Sequence, residues 1–140
     1  MKTIIITAAA LVFSINTACA QKVKAAEVPK AVIDSFNKNF SGTKVETWEK
    51  EKDGAYEAEF DLNKVETSAT FSADGKLLET ETEIAVSALP KAVTDYLAKN
   101  YAGKKIKEAA KIVDGNGKIK YEAEVDKKDL LFDEQGNFIK

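Results

Sequence analysis

The residues best placed to do chemistry in this chain are carboxylates on two matching segments. AYEAEF (55–60) and KYEAEV (120–125) alternate in the same way. Glu57 and Glu59, and again Glu122 and Glu124, fall on one side of an extended chain, with Tyr, Ala and Phe or Val on the other. Glu46, Glu66 and Asp126 are expected nearby. Paired carboxylates can serve as the acid and base of glycoside hydrolysis. The solvated face of an antiparallel strand has the same composition, and no further motif lifts the catalytic reading above it. Lys44, Lys50, Lys105, Lys107 and Lys120 are interspersed, which predicts a mixed-charge surface suited to steering a partner.

Other chemistries fall away on composition. The chain has no His, so a Ser–His arrangement is impossible. No motif around any Ser supports a Ser–Lys dyad. All 21 basic residues are Lys and the net charge is −2, which removes the bidentate guanidinium and the basic face that nucleic-acid binding needs. Asp114-Gly115-Asn116-Gly117 hints at a calcium loop. Lys118 then stands where a ligand should, Ile119 takes the glycine position and Val125 the place of the closing Glu. The segment reads as a turn. No cofactor, no metal and no enzymatic activity are expected.

Trp48 is the single Trp. If Val45 faces a core, strict alternation puts Trp48 on the opposite face, where it would anchor a partner. A bulge or a helix edge would take it into the core instead, and Trp is mostly buried. Both readings stand at this point. Together with Glu46, Glu57, Glu59, Glu122 and Glu124 it makes the candidate binding surface.

The elements that position these residues come from a duplication. VPKAVIDSFNKNFSG (28–42) and LPKAVTDYLAKNYAG (89–103) share Pro, Lys, Ala, Val, Asp, Lys, Asn and Gly in register, 61 residues apart. Val28, Val32, Phe36 and Phe40, widened by Ile33, form an apolar stripe at helical spacing; Leu89, Val93, Leu97 and Tyr101 repeat it. After Gly42 the period changes to two. Strands are predicted over 43–51, 55–62, 65–71 and 76–84, punctuated by Asp53-Gly54, Asn63-Lys64 and Asp74-Gly75. The second half repeats them over 105–113, 119–125, 129–132 and 137–140. The linker 83–89 lacks Gly and Pro and reads as strand running straight into the second helix. The two halves are expected to share one core.

The N-terminus reads as an export signal over 1–20. Lys2 precedes an apolar run at 4–15, too short to span a bilayer. Ala18 and Ala20 suit cleavage before Gln21, which would bring the net charge to −3 by removing Lys2. Lipidation of Cys19 wants an apolar residue three positions earlier, where Asn16 stands, so plain cleavage is the favoured expectation and a lipoprotein the alternative. Residues 21–27 read as a flexible leader, 28–84 as the first repeat and 85–140 as the second. An apolar fraction of 44% with 31% charged residues fits a globular chain with no membrane span after cleavage.

The order V/L-P-K-A-V, a strand carrying Trp48, D-G, Y-E-A-E-F and F-x-x-D-G-K-L resembles the PepSY-like, beta-lactamase-inhibitor-like family over residues 28–140. The resemblance implies an α+β fold like that of beta-lactamase inhibitory protein. Two αββββ repeats would form one continuous antiparallel sheet, with helices packed on one face and the other face open. It carries over no catalytic residue. The expected function is an exported, non-enzymatic binding module, inhibitory in the stronger form, that holds an unidentified envelope or secreted protein on the open face. It would act as a monomer in the periplasm or outside the cell. The alternative is a periplasmic small-ligand or ion sensor using a crevice near 83–89.

Overall fold

The repeated PKAV segments become helices because each opens on a proline, which needs no intrahelical donor, and continues with apolar residues at helical spacing. In the computed structural model, which describes residues 20–140, α1 spans Lys30–Asn39 and α2 spans Lys91–Asn100. Gly42 and Gly103 follow in the left-handed region, which permits the chain to leave each helix sharply. Apart from Ala20, the expected export signal and Cys19 lie outside the described residues.

The period-two segments become strands. They are β2 (Val45–Lys50), β3 (Tyr56–Leu62), β4 (Val65–Phe71), β5 (Leu77–Glu83), β6 (Ile106–Asp114), β7 (Ile119–Val125) and β8 (Lys128–Asp133), preceded by β1 (Gln21–Val23). They form one eight-stranded sheet whose strands follow chain order, and every pair is antiparallel. The fold is the expected α+β sheet with two helices. The predicted strand at 137–140 is reduced to a bridge from Phe138 to Phe132, with Ile139 and Lys140 hydrogen-bonded to Leu131.

Three expectations need correction. Residues 21–27 are not a flexible leader: they form β1 and a 3₁₀ turn over Ala25–Glu27. The reason is the repeat itself. Val23 lies opposite Trp48 on β2, as the Ile84 amide bonds the Ala109 carbonyl of β6, each position 61 residues on. β1 is therefore the edge copy of the end of β5. Second, the linker is not continuous strand, because a 3₁₀ turn at Val86–Ala88 separates β5 from α2. Third, the halves do not share a core. Under α1, Val32, Phe36, Trp48, Phe60 and Phe71 form one cluster; under α2, Val93, Leu97, Val125, Leu130 and Phe132 form another. At the seam, Thr67, Thr82 and Lys111 lie in register on the helix side, so polar residues separate the clusters. Main-chain pairing of β5 with β6 joins the halves.

The Asp74-Gly75 turn shows how tightly a helix sits on its strands. Gly75 has φ +89°, and a Cβ there would lie 2.5 Å from the Ala31 carbonyl oxygen. Gly136 approaches Ala92 in the same way, 2.6 Å from its Cβ. Gly75→Ala is expected to cost about 1–3 kcal/mol in urea denaturation. Gly54→Ala has a comparable φ of +88° but open space around it and should cost less. Equal losses at the two sites would contradict this close approach.

Candidate functional site: the acidic open face

Strand register decides which carboxylates meet, because residues directly opposite share a face. Glu57 on β3 lies opposite Glu49 on β2 and Thr70 on β4; Thr70 lies opposite Glu79 on β5, and Glu79 opposite Asp114 on β6. The next row runs Thr47, Glu59, Ser68, Glu81, Ile112 and Lys120. Asp61 faces Glu66. In the second half Glu124 on β7 stands between Glu108 on β6 and Asp129 on β8, and Glu122 between Ala110 and Leu131. All of these point away from the two helix-covered clusters. Glu57, Glu59, Glu122 and Glu124 are thus brought together as the alternation predicts.

Trp48 is not on that face. A bulge between Val45 and Thr47 shifts the register and reverses the alternation. Trp48 then turns under α1, where it is 6% exposed and sits edge-on to Phe36, ring centroids 5.8 Å apart. Glu46 is the extra residue of the bulge and is exposed beside the face, not paired within it. Asp126 is also elsewhere: it occupies a left-handed turn position and pairs with Lys104 at 2.8 Å. The expected mixed charge is only partly present: Lys120 lies on the face, in the row of Glu59 and Glu81. Lys50 lies opposite Tyr56 on the helix side. Lys107 does reach the face, 2.9 Å from Glu108 and 3.2 Å from Glu124. Lys22 lies 4.0 Å from Glu49 at the first edge. The surface is predominantly carboxylate.

Several of these carboxylates are packed among one another instead of reaching into solvent. Glu57, Glu81, Glu108, Glu122 and Glu124 are all buried. Burial pushes Glu57 up to about 7; the neighbouring charges of Glu51, Glu59 and Glu49 add to this, and interaction with Ser68 offsets part of it. Burial likewise raises Glu122 to about 7, helped by Asp129 and opposed by Lys140. Glu81 goes furthest, to about 9, through burial first and then the charges of Glu122, Glu57, Glu79 and Asp129. Burial also raises Glu51, Glu59, Glu66 and Asp129. Near neutral pH part of this face therefore carries protons.

Sequence reasoning missed Glu81, Glu49, Glu79, Glu108 and Asp129. Glu81 sits on β5 at the seam, where no residue of the second half corresponds to it, so the duplication gave no signal. Glu49 needed the bulge in β2, and Glu108 its counterpart between Ile106 and Glu108 in β6. The Asp114 loop is a turn, as read: its side chain accepts from the Asn116 and Lys118 amides. Among the described residues no group of three acidic side chains converges closely enough to hold a metal ion. A cavity of about 320 Å³ lies beneath the C-terminal end of α2, lined by Leu97, Tyr101, Lys104, Ile106 and Val125, and not at the crevice expected near 83–89. It is on the helix side. In the first half, Phe36 and Phe60 stand where the second has Leu97 and Val125, and their rings pack 5.0 Å apart.

Comparison with solved structures finds the same fold. A DUF2874 family protein from Bacteroides uniformis is 19% identical with a TM-score of 0.70, over 80% of this chain and 86% of that one. A BLIP-like protein from Bacteroides fragilis is 24% identical with a TM-score of 0.65, over 80% and 84%. A protein from Bacteroides eggerthii, described among "putative periplasmic proteins", is 18% identical with a TM-score of 0.69, over 81% and 86%. No curated protein matches the chain. The family model "Putative beta-lactamase-inhibitor-like, PepSY-like" matches twice in tandem, over residues 15–78 and 54–140. The chain is a two-repeat member of that PepSY-like family.

Proposed function

We propose that this protein is an exported, non-enzymatic module that holds another envelope or secreted protein on the open face of its sheet, restraining that partner's activity. One observation carries the reading: Glu49–Glu57, Asp61–Glu66, Glu79–Asp114 and Glu108–Glu124–Asp129 oppose like charges on a face that neither helix covers. Like charges directly opposite weaken a sheet, so the pattern does not serve stability. It is suited to a partner of opposite charge, with electrostatics setting encounter rate and choice of partner. The BLIP-like and periplasmic descriptions of the structural relatives agree with a binding role outside the cytoplasm. The absence of His, and the lack of any nucleophile motif, supports a non-catalytic role.

Capture from envelope extract tests the reading. Glu59→Lys with Glu122→Lys should lose the partner that the unmodified protein retains. Asp34→Lys, on the exposed side of α1, should keep it. Equal retention by both variants would sink the proposal.

A further inference from the structure

We propose that the open face receives an extended, lysine- or arginine-rich segment of the partner protein, and that Glu81 at the seam between the halves takes one of its cationic side chains. The inference rests on the binding role just described and names the chemistry of the partner. Glu81 is 5% exposed, and its Oε1 has no hydrogen-bond partner among the described residues. No ion pair reaches it among those residues, although Lys22 and Lys107 lie on the same face beside other carboxylates and Lys120 stands two strands away in its own row. Directly opposite it stand Ser68 on β4 and Ile112 on β6, neither charged. The charges acting on it are Glu57 of β3, Glu79 of its own strand, Glu122 of β7 and Asp129 of β8, all of the same sign. A buried carboxyl so placed is a costly group that an arriving cation would satisfy.

The spread of the carboxylates selects the form of that cation. They extend from β2 to β8, and among the described residues no compact group is able to hold a metal ion. At ~4.8 Å between strands this span is about 30 Å, the length of an extended segment of about nine residues. Ammonium or guanidinium groups on flexible stems can reach separate carboxylates along it; a single divalent ion cannot. Insertion of a cation favours the charged form of Glu81 and of its neighbours Glu57 and Glu122, so binding near neutral pH should expel protons.

Isothermal titration with a nonalysine peptide at pH 7, in two buffers of different ionisation heat, reads affinity and proton release together. The expected result is saturable binding with protons released. Glu81→Gln should bind about tenfold more weakly and release fewer protons. Nonaglutamate should not bind, and spermine and calcium chloride should bind more weakly than nonalysine. No nonalysine binding, tighter binding of spermine or calcium, or a Glu81→Gln variant equal in affinity and proton release, would each overturn the proposal. If nonalysine fails while Glu59→Lys with Glu122→Lys still loses the envelope partner, only this inference falls. If nonalysine binds with proton release yet that variant keeps its partner, the open face takes cations as inferred and the wider partner-holding reading falls.

Discussion

Trp48→Ala should lower stability by about 3–5 kcal/mol, the cost of removing a large aromatic from a packed core. Trp48 closes the first core from below, edge-on to Phe36, whose ring also meets Phe40, Phe60 and Phe71. Its removal leaves a void beneath α1, because Ala58 opposite it on β3 is too small to fill the space. Urea denaturation followed by circular dichroism measures the loss. Trp48→Phe, which keeps an aromatic in place, should lose far less. Partner capture by Trp48→Phe should equal that of the unmodified protein, since the side chain is absent from the open face. A stable Trp48→Ala variant that no longer captured the partner would return this residue to the binding surface.

Stability should fall as the solution is made alkaline, the reverse of ordinary acid denaturation. The sign follows from proton linkage. Glu57 and Glu122 move from 4.5 to about 7 on folding, and Glu81 from 4.5 to about 9. The folded protein therefore holds protons more tightly than the unfolded chain. That contribution is fully present below about pH 4.5 and is lost as pH rises through about 7 and towards 9. The melting temperature should be higher at pH 5.5 than at pH 9. Glu81→Gln, which keeps the shape and cannot ionise, should gain on the order of 1–3 kcal/mol over the unmodified protein at pH 9 and little at pH 5. A melting temperature that rises from pH 5.5 to 9 would contradict the packing of these carboxyls.

The parts of the fold that were legible in the sequence are those governed by local period. The Val28–Val32–Phe36 stripe and its copy specify two helices, and YEAEF with its copy specify strands with glutamates on one side. What local period cannot show is how one strand meets the next. The bulge at Glu46 adds a residue with no glycine or proline to mark it, and that one residue carries Trp48 from the open face into the core. Glu81 depends on the register of β5 with β6, a pairing between the halves that neither half contains. β1 was within reach: carrying the 61-residue offset five positions upstream of Val28 sets Val23 against Ile84. Glu57, Glu59, Glu122 and Glu124 were found by alternation alone. The burial of Glu57, Glu122 and Glu124 was not, because it depends on the strands that flank them on either side.

Site-specific photocrosslinking in the native envelope tests most directly that the open face is the binding surface. A photoreactive residue at Thr70, between Glu57 and Glu79 on neighbouring strands, should form one discrete adduct with the partner. The same residue at Asp34 on the exposed side of α1 should form none. Glu81→Gln should weaken the Thr70 adduct, and Glu59→Lys with Glu122→Lys should abolish it. An adduct from Asp34 with none from Thr70 would place the partner on the helices and contradict the account.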